Sequence, residues 1–469
     1  MKASAIIGMV FVIFLLFPSM STAQVQSSHP GQAGASTRPE VISRVTKVKG
    51  LKLVSTATPA PPDLVCLEIF AAPCYSPQQI REAYGLTSIL NAGYTGTDQT
   101  IIIIDSFGSP TIAQDLKTFD AGYGLPDPPS FTVLSPLGTV PFDPNNSDQV
   151  GWAFETTLDV EWAHAMAPGA NIVLLTSPVS ETEGVQGMPE FLSLEKYALD
   201  HNLGKVISQS WSATENTLFT PAGQKVFKDF EEFYERAARE NVTVLAAAGD
   251  FGTANPTLTP GQFYPFPTVG FPASSPLVTA VGGTSLYADL AGKYEYEIVW
   301  NNAVITLATG LEGDAGGGGV SQQFSEPAYQ SLLPASVQKT LNHHRGIPDI
   351  AYNADPFTAI LVYVGFFPNP NFNGYYEIGG TSEGSPQWAG IIADANQLAG
   401  HPLGFLNPKL YAMGAGGESS EFFHDIKFGS NAFPFNSVPG FIATPGWDLT
   451  TGWGTPNAEN LVRELADQQ

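Results

Sequence analysis

The sequence predicts an α/β fold, a parallel β-sheet with helices on both faces. Three observations predict it. First, Thr100–Asp105, TIIIID, is a β-branched apolar run without polar alternation, as in a strand covered on both sides. Second, strand-sized runs recur at Phe131–Val133, Asn171–Leu175, Val206–Ser210, Val242–Ala247 and Leu277–Val281. Third, helical stretches separate most of them, at Ile112–Phe119, Trp152–Ala167, Leu192–His201 and Ala222–Glu240. That alternation implies parallel strands joined by helical crossovers. In such sheets ligands bind beyond the carboxyl ends of the strands, and Asp105, Ser208–Trp211 and Asp250 fall at such ends.

Met1–Ala23 reads as a signal peptide, with a single N-terminal anchor as the other reading: Lys2 supplies charge, Ile6–Phe17 is an apolar stretch too short to span a bilayer comfortably, and Ser21-Thr22-Ala23 is a small-residue cleavage site. A secreted, extracellular protein is expected, with no membrane contact once the signal is removed. Residues 24–74 read as a linker or short pro-segment. Gln24–Pro62 is rich in Ser, Thr, Pro, Gly and Gln and lacks periodicity, so it is expected to be largely unpacked. Cys66 and Cys74 are the only two cysteines, and in an oxidising compartment they are expected to pair. Ser76–Tyr84 begins with a capping Ser and a Pro and reads as a short helix. One body, 75–469, follows, without a repeat or a second domain.

The 469 residues carry 44 acidic and 20 basic side chains, a formal charge of −24. Nucleic acid is therefore excluded as a partner, since no basic cluster offers a local exception. Low basicity also leaves less positive charge to self-repel in acid, where carboxylates neutralise. Nothing in the sequence calls for a partner subunit, and a monomer is expected.

Two stretches carry chemistry. Trp152–Ala167, WAFETTLDVEWAHAMA, is apolar nearly all round and is expected to be a buried helix. Glu155 and Asp159 stand four apart on one face of it. Either the pair marks an exposed edge, or it is a buried acid pair sharing a proton. Glu377–Gly390, EIGGTSEGSPQWAG, passes from a strand through Gly379–Gly380 into a helix, with Ser382 at the junction. A serine there is either an N-cap or a nucleophile beside an oxyanion site, because free N–H groups and the helix dipole favour negative charge.

A Ser-His-Asp triad would take Asp105 as its acid and needs a histidine. His164 is the one in a suitable neighbourhood, but it lies nine residues beyond Glu155. That is about half a turn out of phase, so it faces away from the pair and is expected to pack in the helix.

Several ordered motifs resemble the sedolisin family of serine-carboxyl peptidases. They are E-x-x-x-D and MAPGA within Glu155–Ala170, SQSW at Ser208–Trp211, AAGD at Ala247–Asp250, and FPASSP with VGGTSL within Phe271–Leu286. GGGGVSQQF at Gly316–Phe324, GIPDIAYNADP at Gly346–Pro356, GGTS at Gly379–Ser382, FLNPKLY at Phe405–Tyr411, and HDI with GWDLTTGWGTPN complete the set. The resemblance runs from about Tyr75 to Asn457 and implies a subtilisin-like fold.

It also implies Ser382 as nucleophile, Glu155 as general base, Asp159 as the acid that orients Glu155, and Asp250 as the oxyanion acid. The expected activity is hydrolysis of protein or peptide substrates through an acyl-enzyme in acid media. A carboxylate base suits such media, where a histidine would be protonated. The resemblance further implies one structural calcium ion, held by carboxylates of Asp425 and Asp448 and by carbonyls of Ile426, Thr444 and Gly446; all-oxygen ligation suits calcium. The same residues read alone also fit a turn capped by Asp448. Glu383 and Phe251 stand where the family usually has small residues or serine, and glycine is usual at Thr444. The segment before Tyr75 is shorter than the family's folded pro-domain. Two other readings stay open: an inactive peptidase-fold binding protein, and a His-dependent hydrolase using Asp105 and Ser382.

Overall fold

The computed structural model describes residues 52–56, 60, 65–70, 72–302, 314–433 and 438–467. The expected signal peptide and most of the expected linker lie outside these residues.

The large sheet runs, in spatial order, Tyr294–Val299, Thr279–Ala288, Thr243–Ala247, Val206–Gln209, Thr100–Ser106, Asn171–Ser177 and Phe131–Leu134, with Ile350–Asn353 also paired to Thr279–Ala288. Every pairing is parallel except that of Tyr294–Val299, which runs antiparallel to Thr279–Ala288. This antiparallel strand was not among the expected elements. It exists because the chain turns tightly at Asp289–Gly292, where the Gly292 N–H donates to the Asp289 carbonyl. A turn that short joins only antiparallel neighbours.

Alternation along the isoleucine run explains why both faces are covered. Ile101 and Ile103 pack in one core with Trp162, Ala163 and Trp388, while Ile102 and Ile104 pack in another with Phe191, Phe227 and Phe230. Successive side chains of a strand point to opposite faces, so this strand contributes to both cores. The helices Ser147–Met166 and Gly384–Ala399 cover the first face; Met188–Asp200 and Pro221–Arg239 cover the second. The expected α/β arrangement is present.

The helix Ser147–Met166 starts before the expected Trp152, because the Asn146 side chain caps it by accepting from the N–H groups of Asp148 and Gln149. Every residue from Trp152 to Met166 is buried, which removes the exposed-edge reading of Glu155 and Asp159. Gly384–Ala399 crosses it closely. A Cβ at Gly390 would lie 2.5 Å from the Met166 Cβ, so only glycine fits at the crossing.

A second, four-stranded sheet is ordered Lys52–Ser55, Gly374–Ile378, Ala359–Val364 and Cys74–Tyr75. Lys52–Ser55 lies in the stretch read as unpacked linker, yet it pairs antiparallel with the strand that leads to Ser382, Lys52 opposite Glu377 and Leu53 opposite Tyr376. Four residues are too few to show a period, and the pairing is dictated by the open edge they cover. Cys66 and Cys74 form a disulfide, as expected. No helix among the described residues is long and apolar enough to cross a membrane.

A buried ion pair sits at the start of the GIPDIAYNADP motif. Arg345 and Asp349 are both fully buried and meet through two hydrogen bonds of 2.7 and 2.6 Å. Tyr411 Oη and the Ala280 N–H also donate to the Asp349 carboxylate, at 2.9 and 2.8 Å. Removing one partner strands a buried charge. Asp349→Ala is therefore expected to lower unfolding free energy by about 3–5 kcal/mol in a denaturant titration, far more than any surface pair would.

Candidate active site

Ser382 lies on a single 3₁₀ turn, Thr381–Glu383, between the strand Gly374–Ile378 and the helix Gly384–Ala399. The chain enters this turn through Gly380 at φ +124°, and a Cβ there would sit 2.8 Å from Asp250 Oδ2. Glycine is required on both counts. Asp250 grips the turn: its Oδ1 accepts from the Thr381 N–H and from Thr381 Oγ1, each at 2.8 Å. The Gly249 N–H donates to Thr381 Oγ1 at 3.0 Å, so the AAGD turn and the serine turn are tied in both directions.

The SQSW segment links the serine turn to the carboxylate helix. Ser210 Oγ donates to Asp159 Oδ1 at 2.8 Å and lies 3.4 Å from the Ser382 carbonyl. Ser208 Oγ and Ser385 Oγ are 2.9 Å apart. Four elements from distant parts of the chain therefore converge on Ser382.

Glu155, Asp159 and Asp105 are all completely buried. Burial pushes the Glu155 carboxyl well above its usual range; the neighbouring charges of Asp105 and Asp250 push the same way, and the Ser382 hydroxyl opposes them. No hydrogen bond of standard geometry joins Glu155 to Ser382. Such contacts are often loose before substrate is bound and tighten with it. Asp159 is raised by burial first, then by Asp105 and Glu155, and is lowered by Ser210. Asp105 is raised by burial and lowered by the Thr156 hydroxyl. The charges acting on Glu155 and Asp159 are all negative, so protons rather than cations relieve the repulsion.

The structure thus brings Ser382, Glu155, Asp159 and Asp250 together. It adds Asp105 and Ser210, which the sequence places at strand carboxyl ends without joining them to the carboxyl pair. Asp105 had a signal, its place at the end of a central strand. His164 faces away, with Nε2 2.8 Å from the Pro126 carbonyl and 3.3 Å from Asp120. Glu383 points inward, accepting from Asn353 Nδ2 at 2.9 Å, and burial pushes its carboxyl well above the usual range. Phe251, next to Asp250, packs in an apolar cluster with Phe263 and Phe433.

The two stretches that carry the expected calcium ligands, around Asp425 and around Asp448, meet. The Gly446 N–H donates to Asp425 Oδ2 at 3.1 Å, and the Thr444 N–H to Asp448 Oδ2 at 2.8 Å. Asp448 Oδ1 accepts from the Thr450 N–H, Thr450 Oγ1 and the Thr451 N–H, so the capped turn is present too. Asp425 Oδ1 is buried without a hydrogen bond, and a bound cation would satisfy it. The residues fit the ion.

A model of the subtilase family, peptidase S8, matches residues 138–408, more than half of the chain. Kumamolisin of Bacillus sp. (strain MN-32) is 34% identical over 405 residues, covering 84% of this chain and 64% of the relative. Sedolisin of Pseudomonas sp. (strain 101) is 28% identical over 397 residues, covering 82% of this chain and 60% of the relative. Tripeptidyl-peptidase 1 of Rattus norvegicus is 31% identical over 330 residues, 66% of this chain and 51% of the relative. This chain thus spans only part of the length of these relatives. Among solved structures, Pseudomonas sedolisin, a serine-carboxyl proteinase complexed with two molecules of pseudo-iodotyrostatin, superposes with a TM-score of 0.68 at 27% identity, covering 85% of this chain and 99% of that one. The chain belongs to the subtilase family and, within it, to the sedolisins.

The raised carboxyls set the sign of the pH dependence of stability. The buried Glu155–Asp159 pair retains a proton in the fold at pH values where the unfolded chain, above about pH 4, has released it. Their stabilising contribution is full below that pH and is lost as pH rises toward their folded values. Each can add a slope of at most about 1.4 kcal/mol per pH unit. Denaturant unfolding across the acid-to-neutral range should show stability falling with pH, and Glu155→Gln should flatten the fall.

Proposed function

We propose that this chain is an exported serine-carboxyl endopeptidase that cleaves protein or peptide substrates in acid surroundings. It acts as a monomer and binds neither nucleic acid nor membrane once its leader is removed. One observation carries the reading: the Ser382 hydroxyl faces a buried carboxylate, Glu155, at a site with no histidine.

In this reading Ser382 Oγ attacks the scissile carbonyl while Glu155 takes its proton, then returns it to the leaving amine. Water hydrolyses the acyl-enzyme by the same route. Asp159, fixed by Ser210, shares a proton with Glu155 and holds it oriented. Asp250 spends Oδ1 on the Thr381 turn, so a proton on Oδ2 makes it a donor to the oxyanion. An ionised Asp250 would repel the oxyanion, which confines activity to acid. The inactive binding-protein reading is not favoured, because every residue that the mechanism needs is present and converges. Calcium, held by Asp425, Asp448 and the carbonyls of Ile426, Thr444 and Gly446, would supply a positive charge that locks the C-terminal loop.

A pH–rate profile on a broad protein substrate should be bell-shaped and acid. Ser382→Ala and Glu155→Gln should each lose activity by on the order of 10³-fold or more. Asp250→Asn should lower kcat by about 10²–10³-fold with little change in KM. Neutral activity surviving Glu155→Gln would overturn the reading. For the ion, chelator should lower the Tm of the parent and added calcium should restore it, whereas Asp425→Ala should respond to neither.

A further inference from the structure

Glu383 follows the proposed nucleophile directly, and its side chain is wholly buried. Its Oε1 accepts from Asn353 Nδ2 at 2.9 Å. Asn353 is itself held firmly. Its Oδ1 accepts from the Leu286 N–H at 3.0 Å and from Thr358 Oγ1 at 2.8 Å, and its Nδ2 also donates to the Thr358 carbonyl at 2.6 Å. The Asn353 N–H donates to Tyr84 Oη at 3.0 Å. This contact adds a further tie between the serine turn and the large sheet.

The other carboxyl oxygen, Oε2, is buried without a hydrogen bond. One helical turn on, Gln387 donates from Nε2 to the Glu383 carbonyl at 3.0 Å, which fixes the orientation of its amide. Burial raises the Glu383 carboxyl, the Asn353 and Gln387 amides beside it oppose that rise, and the Gln387 Oε1 is buried without a hydrogen bond. Side chains four apart on a helix are neighbours. Two buried acceptors on such neighbours lack one donor between them, and a single proton would supply it. The titratable groups facing Glu383 are Asp355, Tyr84 and Tyr352; no basic side chain is among the groups acting on it. The helix start cannot shift to relieve the site, since a Cβ at Gly384 would lie 2.7 Å from Val281 Cγ1 and 2.9 Å from Tyr352 Cβ.

We propose that Glu383 is a positioning residue that works as a neutral carboxylic acid, accepting from Asn353 through Oε1 and donating from Oε2 to Gln387 Oε1, and so holds the turn that presents Ser382. Its effect on turnover rests on the peptidase reading above. Kept neutral, it places no charge behind the oxyanion. Ionised, it would leave two acceptors facing each other one residue from the nucleophile.

The test compares the parent with Glu383→Ala and Glu383→Gln by two readouts. The first is kcat and KM on a peptide substrate in acid. Glu383→Ala should lose kcat by about tenfold or more at nearly unchanged KM, and the Gln variant, whose amide accepts from Asn353 and donates to Gln387, should recover most of that loss. The second is Tm against pH. A proton held only in the fold makes the parent lose stability as pH rises, so the Gln variant should show the shallower decline. Parent-like kcat in Glu383→Ala, or parallel Tm–pH curves for parent and Gln variant, would overturn the proposal. If Glu383→Ala does not fold, the parent and Gln curves still decide. A parent without activity at any pH would instead sink the peptidase reading, while the Tm–pH curves would still report whether Glu383 is neutral.

Discussion

The burial of like-charged carboxyl groups with no cation beside them is the constraint on which this structure turns. Glu155 and Asp159 share one face of a helix whose every residue from Trp152 onward is buried, and Asp105 faces them from the end of the central strand. Taking an ionised carboxylate out of water costs several kcal/mol even after relaxation, and a second one nearby adds repulsion. The fold meets that cost by holding protons.

Holding such a cluster requires walls that do not yield. The carboxylate helix and the serine helix cross at Gly390, close enough to exclude any side chain there. The ends of three parallel strands deliver Asp105, Ser210 and Asp250 to one place. Asp250 and Thr381 then fasten the AAGD turn to the serine turn by three hydrogen bonds. Groups held this way have little freedom to reorganise.

Two departures from the sedolisin pattern find a place in the same logic. Phe251 turns away from the site into an apolar cluster with Phe263 and Phe433. Glu383 points back toward Asn353, with its carboxyl buried among acids and phenols. From the sequence both looked like intrusions beside the reactive groups. Direction and burial, not residue type, decide what they do.

The layers and the main actors are legible in period and composition. The isoleucine run marked a strand covered on both faces, the stretch around Glu155 a largely apolar helix, and the GGTS junction a serine at a helix start. These are local properties, written in period and composition. The edge strands Lys52–Ser55 and Tyr294–Val299 were not legible, because four paired residues show no period and a hairpin return depends on one tight turn. Asp105 and Ser210 were legible as strand-end residues but not as neighbours of Glu155 and Asp159, since neither has a partner within a dozen residues. Only the tertiary structure decided that Glu155 and Asp159 are a buried acid pair rather than an exposed edge, that Ser382 lies against them, and that Glu383 faces inward. Those outcomes depend on which surfaces are removed from water together, and long-range packing alone settles that.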